Sequence, residues 1–444
     1  MEGPGTSRRA AWAAAIGLLL GLGPLVGPSG PAYAEVPMCA GLPATIIGTE
    51  GSDHLLGTPG DDVIVGLGGN DFIDAGDGDD RVCGGPGKDR ILGGTGRNRL
   101  LGGPHADNIS GRSGNGDYLA GQSGPDSLTL DGPGAGHADH CVGGQGDDLM
   151  TCVSGANIVE GGPGNDRLQS TFYGPAPDTG AVWDGGDGLD SLDVWGKTPV
   201  GSIHLDLSLE SATVDGATIP VLSIESASAR AAQVDLVGTD EANRLTAVPA
   251  ASDALDEWVR IDAGAGDDTI VLNSGLAEAP PADLLGGPGE DWVDAGFQRA
   301  SDTSAREHVW VDLSSSTWGT QERGSLGTLD GERVSAEARR LAVAGSPGPD
   351  WISATASTVE VHAGAGDDTV GGGGLRRLLL RGGPGNDLLT GGGAHVLIYG
   401  GSGGDVLRGG PSDDELYGGR GGDSADGAGG VDRCRAEVTL RCER

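Results

Sequence analysis

Large side chains are scarce in this sequence: 8 tryptophans, 5 tyrosines, 3 phenylalanines and 3 methionines in 444 residues. That stock cannot fill several close-packed interiors, so a string of ordinary globular domains is excluded despite the length. Lysine is nearly absent, with Lys88 and Lys197 the only two. Basic residues total 28 against 65 acidic ones, a formal net charge of −37. Nucleic acid and anionic membrane surfaces are therefore excluded as partners. A membrane span is missing as well, because no apolar run reaches the roughly 20 residues it needs. What the chain has instead is 87 glycines and 24 prolines. The glycines do not recur at every third position, which excludes collagen, and their periodicity argues against disorder. A fold this acidic repels itself unless cations neutralise it, so the expected partner is a cation.

Residues 1–34 read as a secretory signal: Arg8 and Arg9, an apolar run from Ala10 to Leu22, and Ala32-Tyr33-Ala34 as a small-x-small cleavage site. Export is by the general secretory or the twin-arginine route, after which no membrane span remains. Six cysteines follow, an even number that in an exported chain favours disulfides. Proximity pairs Cys39 with Cys83, Cys141 with Cys152 and Cys434 with Cys442. Chain entropy assigns the first bridge roughly 4 kcal/mol and the second about 3 kcal/mol.

Written in nines from Gly48, the chain reads GTEGSDHLL, GTPGDDVIV, GLGGNDFID, AGDGDDRVC, GGPGKDRIL, GGTGRNRLL and GGPHADNIS. The frame slips in GRSGNGDYLA, returns as GQSGPDSLT, and continues after an insertion as GGQGDDLMT, CVSGANIVE and GGPGNDRLQ. It resumes near the C-terminus as GGPGNDLLT, GGGAHVLIY, GGSGGDVLR, GGPSDDELY and GGRGGDSAD. In each unit the first six residues are small and φ-permissive. The last three form a short strand with one inward apolar side chain, as at Ile64, Ile73, Val82, Ile91 or Leu388. One unit cannot bury its apolar face alone, so stacking has to supply the core.

These units resemble the G-G-x-G-x-D-x-U-x calcium-binding nonapeptide of RTX, or hemolysin-type, repeat proteins. The resemblance implies an all-β fold, a parallel β-roll or β-solenoid with two nonapeptides per coil and Ca2+ between successive turns. With two units per coil, loops on one side are 18 residues apart, and aspartates recur at that spacing. One series is Asp53, Asp71, Asp89 and Asp107, and the opposite one begins with Asp62 and Asp80. Further series are Asp148 and Asp166, Asp350 and Asp368, Asp387, Asp405 and Asp423, and Asp414 and Asp432. Asp126, Asp190, Asp268 and Asp291 occupy the same place in isolated units. All nineteen are expected metal ligands, since calcium takes about six to eight oxygens at about 2.3–2.6 Å. Asn98 and Asn157 put a neutral oxygen there, and Val396 removes it.

From about Ala181 to Gly374 a longer repeat appears, offset by about 100 residues. DGGDGLDSLDV (184–194) answers LGGPGEDWVDA (285–295), and IDAGAGDDT (261–269) answers VHAGAGDDT (361–369). Wider β-coils continuing the solenoid are expected there, with a separate β-sandwich as the alternative. The boundaries drawn are 1–34 for the signal, 35–170 for the N-terminal repeats, 171–375 for the duplicated middle, and 376–444 for the C-terminal repeats with a cysteine-closed cap.

Motifs of catalysis do not survive inspection. Gly400-Gly401-Ser402-Gly403-Gly404 matches the nucleophile elbow but lies in register inside a nonapeptide. His137, Asp139, His140 and Cys141 lie in an irregular loop as a weak transition-metal candidate. No H-E-x-x-H occurs. The expected protein is secreted, extracellular and noncatalytic, structural or adhesive, folding or stiffening on Ca2+, with a cell-surface glycan or protein as its possible partner. The competing reading is an extracellular hydrolase or polysaccharide-active enzyme with its site in the middle segment. The arginine-rich, lysine-poor composition points to a GC-rich genome, as in actinobacteria.

Overall fold

The computed structural model describes residues 36–111, 116–130, 139–153, 157–172, 180–196, 201–250, 258–273, 281–296, 308–313, 316–320, 324–330, 333–393 and 395–443. The expected signal segment, His137 and the Cys152 side chain lie outside the described residues. The described residues from Pro37 onward form one compact unit.

Every described element is a β-strand. Apart from a short N-terminal hairpin, Met38–Cys39 with Leu42–Pro43, 39 strands join one continuous hydrogen-bonded system. It is a parallel β-solenoid of about 16 turns. On one wall His54–Leu56 pairs with Phe72–Asp74, which pairs with Arg90–Leu92, then Asn108–Ser110, then Ser127–Leu130. On the other wall Ile46–Ile47 leads to Val63–Val65, Arg81–Cys83 and Arg99–Pro104.

The core is a column of single aliphatic side chains, one per nonapeptide. Ile64, Ile73, Val82, Ile91, Leu100, Ile109, Leu119 and Leu128 are all fully buried. Each contributes about 1.5–3 kcal/mol of burial, too little to fix a single coil against backbone entropy, which is why the coils must stack. In the unit GGPGNDLLT the inward residue is Leu389; Leu388, expected there, lies one position earlier and points to the outer face. Alternation along the strand permits no other outcome once the preceding Asp387 is buried.

The few aromatics mostly stack outside the core. Tyr399 and Tyr417 lie face to face with centroids 5.1 Å apart, and Arg381 and Arg435 cover the two outer faces at 5.6 Å. Their 18-residue spacing places them one coil apart, a cross-strand ladder.

The solenoid runs through the middle segment, where Arg167–Phe172, Ser191–Gly196, Ser226–Arg230, Arg244–Ala247, Thr269–Asn273 and Trp292–Gly296 pair in parallel, one after another. These coils are wider, and the duplication has a topological counterpart. Ser202–Asp206, Ser211–Val214 and Ala217–Leu222 form an antiparallel meander inserted between coils. His308–Asp312, Thr317–Thr320 and Gly324–Asp330 form its counterpart. In both copies the first strand of the meander also pairs in parallel with a later strand. Beyond it the strands lengthen, as Arg333–Ala344, Trp351–His362 and Thr369–Pro384.

Two bridges close the ends: Cys39 with Cys83, and Cys434 with Cys442, with Cα separations of 5.7 and 5.8 Å. Cys141 is buried in the core column, in register between Leu119 and Val159.

Candidate metal centre

Each repeat aspartate immediately precedes its strand, so strand alternation turns it inward, two positions before the core aliphatic residue. Its neighbours are then the turns of its own and adjacent coils. Eighteen of the nineteen expected ligands are buried; Asp53, in the first coil, is half-buried.

The carboxylates form ladders. The backbone N–H of Asp71 donates to Oδ1 of Asp89 at 2.8 Å, Asp89 N–H to Asp107, Asp107 N–H to Asp126, Asp126 N–H to Asp148, and Asp148 N–H to Asp166. Asp166 N–H continues to Asp190. The series that look separate in the sequence are thus one stack from Asp53 to Asp190. Likewise Asp350, Asp368, Asp387, Asp405 and Asp423 form one stack, and Asp414 and Asp432 another. Asp268 bonds to Asp291 in the middle segment. Val396 keeps the ladder bond through its own N–H, donated to Asp414.

Only one carboxylate oxygen is used in these bonds. Oδ2 of Asp71, Asp80, Asp89, Asp107, Asp126, Asp148, Asp166, Asp190, Asp268, Asp368, Asp387, Asp405, Asp423 and Asp432 is buried without a hydrogen-bond partner. Gly84 shows what surrounds it: a Cβ there would lie within 3 Å of both Asp89 Oδ2 and the Gly102 carbonyl oxygen of the next coil. The first glycine of the unit is required because these oxygens occupy the place of its side chain. Acceptor faces acceptor with no donor between them, an arrangement that a buried site cannot hold without a proton or a cation.

The electrostatics agree. Burial, together with the neighbouring rungs, pushes the carboxyls of Asp107, Asp117, Asp126 and Asp148 up to about 7, against weaker backbone hydrogen bonds that pull them down. Asp80, Asp89, Asp166, Asp190, Asp268 and Asp387 are pushed up to about 6 for the same reason.

The first rung of a stack is different. Asp62 Oδ2 accepts from Thr58 N–H at 2.7 Å and from Thr58 Oγ1 at 2.8 Å. Thr49 does the same for Asp53, while at Asp350 the Ser346 N–H donates to Oδ2 and the Ser346 hydroxyl to Oδ1. Burial raises the Asp62 carboxyl, but the bonds from Thr58 and Thr45 outweigh it and leave it lowered. Where Thr or Ser replaces the second glycine, the carboxylate is satisfied by protein donors.

Sequence spacing missed Asp117 and Asp139. Asn98 N–H donates to Asp117, and Asp117 N–H to Asp139, across separations of 19 and 22 residues. Both are full rungs; the sign was an aspartate two residues before an inward residue, Leu119 or Cys141. His140, between Asp139 and Cys141, faces outward to Glu160 at 3.1 Å, so these neighbours do not converge on one ion. A second, exposed ladder also went unread: the residue before the rung accepts from the next coil, as Asp61 from Asp79 N–H and Asn70 from Lys88 N–H.

Among the described residues no three His, Cys, Asp or Glu side chains converge. The available donors are one carboxylate per unit and backbone carbonyls, an oxygen-only set that fits a hard cation and not a thiolate- or imidazole-seeking metal.

Among the described residues no helix is long and apolar enough to cross a membrane. No curated protein matches the chain. The family model of the RTX calcium-binding nonapeptide repeat (4 copies) matches residues 47–82, 84–118, 153–170, 259–275, 344–375, 379–395 and 397–434. The ladders, the glycine-lined oxygen clusters and these matches agree: the chain carries RTX calcium-binding nonapeptide repeats along its length.

Proposed function

We propose that this is an exported, noncatalytic calcium-binding scaffold, structural or adhesive, whose array orders or stiffens when extracellular Ca2+ enters the rungs. The reading includes removal of residues 1–34, repeat blocks at 35–170 and 376–444, and a duplicated spacer at 171–375. A cell-surface glycan or protein is the partner class it leaves open. The rows of buried, donorless Oδ2 atoms beside backbone carbonyls carry this reading. Their ligands would be the rung aspartates from Asp71 to Asp432, joined by Asp117 and Asp139. Extracellular modules bind calcium at about 10⁻⁴–10⁻³ M, so export would be the step that fills them.

Isothermal calorimetry on the chelated, disulfide-intact chain tests the proposal, with calcium compared with magnesium. Several calcium equivalents, and little magnesium because it demands a tighter octahedral shell, is the expected result. Heat indistinguishable from dilution would sink the reading.

A further inference from the structure

Two turns outside the family-matched segments follow the same oxygen plan with fewer residues. At a regular rung, the carbonyl facing the buried Oδ2 comes from a glycine five residues before the next aspartate, as Gly102 before Asp107 serves Asp89. Beside Asp190 that carbonyl belongs to Ser223, two residues before Glu225. Beside Asp432 it belongs to Arg441, two residues before Glu443.

Both carbonyl donors sit in the left-handed region, Ser223 at φ 51° and Arg441 at φ 48°. Such a conformation in a residue other than glycine persists only where its surroundings compensate. In both turns the glutamate takes over the aspartate's hydrogen bond. Asp190 N–H donates to Glu225 Oε2 at 2.6 Å, and Asp432 N–H donates to Glu443 Oε2 at 2.5 Å. Ser226 N–H donates to the Asp190 carbonyl at 3.0 Å as at a regular rung, while at the C-terminal turn the N–H of Glu443 itself donates to the Asp432 carbonyl at 2.8 Å. The extra methylene of glutamate makes up the reach that the shortened turn loses. Asp190 and Asp432 are each 1% exposed, and each keeps an Oδ2 without a partner, turned toward the new carbonyl.

We propose that Ser223 with Glu225, and Arg441 with Glu443, are shortened calcium turns that complete cation sites on Asp190 and Asp432. The proposal rests on the calcium reading of the array and extends it to turns that the nonapeptide pattern does not describe. At the C-terminus it gives the bridge between Cys434 and Cys442 a second task, since Cys442 lies between the two donors of the last site and pins their turn.

The test is calcium binding by equilibrium dialysis, with calcium as the only ligand, on the full chain with disulfides intact. Glu443→Gln and a chain ending at Cys442 carry it; Glu225→Gln probes the middle site. Glu160→Gln, an exposed glutamate paired with His140, is the control. Each of the two terminal variants is expected to lose one calcium equivalent, or to weaken one site by about tenfold or more, because ligand charge sets calcium affinity. The control keeps the wild-type isotherm. A wild-type isotherm from both terminal variants overturns the proposal while leaving the array reading intact. Absence of calcium binding in the wild-type chain overturns both.

Discussion

At the scale of the residue, the two oxygens of a rung carboxylate have different tasks. Oδ1 holds the coil before it, and Oδ2 waits for a cation. Asp107→Asn separates the two, because the amide oxygen keeps the ladder bond while the charge facing Asp89 and Asp126 disappears. In chelator the variant is expected to melt higher than wild type, and in calcium to gain less. Paired thermal melts check both signs, and equal shifts in the two buffers would contradict the division of tasks. Thr58→Val tests the satisfied first rung. It removes the hydroxyl bond to Asp62 and is expected to cost about 1–3 kcal/mol by denaturant unfolding, because a buried carboxylate loses a donor. The asymmetry between Asp62 and Asp80 was hidden in the sequence, where both read as the same D. The neighbour that decides it is Thr58 in one unit and Gly76 in the other.

At the scale of the element, the coil is the unit of stability. Ile91→Ala leaves a hole between Ile73 and Ile109, its neighbours above and below in the stack. A loss of about 2–5 kcal/mol is expected for such a core truncation, spread over adjacent coils because each packs only on its neighbours. Hydrogen exchange that lost protection at Arg90–Leu92 alone would contradict the nearest-neighbour picture. The coil was legible wherever its period held: Gly84 through Asp89 could be read off as turn, glycine pocket and ligand. It became illegible where loops lengthen. Asp117 and Asp139 break the 18-residue count while keeping every ladder bond, because hydrogen bonding fixes where strands begin and tolerates what lies between them. The meanders escaped for a related reason. Ile203, Leu205 and Leu207 alternate as a strand should, but alternation does not say whether the next strand runs parallel or antiparallel.

At the scale of the molecule, the ladders make stability depend on protons and cations together. Burial pushes the folded carboxyls of Asp80, Asp107 and Asp148 up to about 6 or 7, against an ordinary value of 3.8. The folded chain therefore binds more protons than the unfolded chain between those values, and metal-free stability falls as pH rises through that window. A chelated sample is expected to melt higher at pH 5 than at pH 8, with calcium closing the gap by replacing the protons. The reverse order in chelator would show that the rungs are solvated after all.

The most direct test of the whole account is circular dichroism of the disulfide-intact chain without residues 1–34, started in chelator at neutral pH and titrated with calcium, with magnesium in parallel. The account predicts a cooperative, calcium-specific gain of β signal together with a rise in melting temperature, since a ligand that binds only the native state stabilises it. An identical spectrum and an identical melt with and without calcium would contradict it.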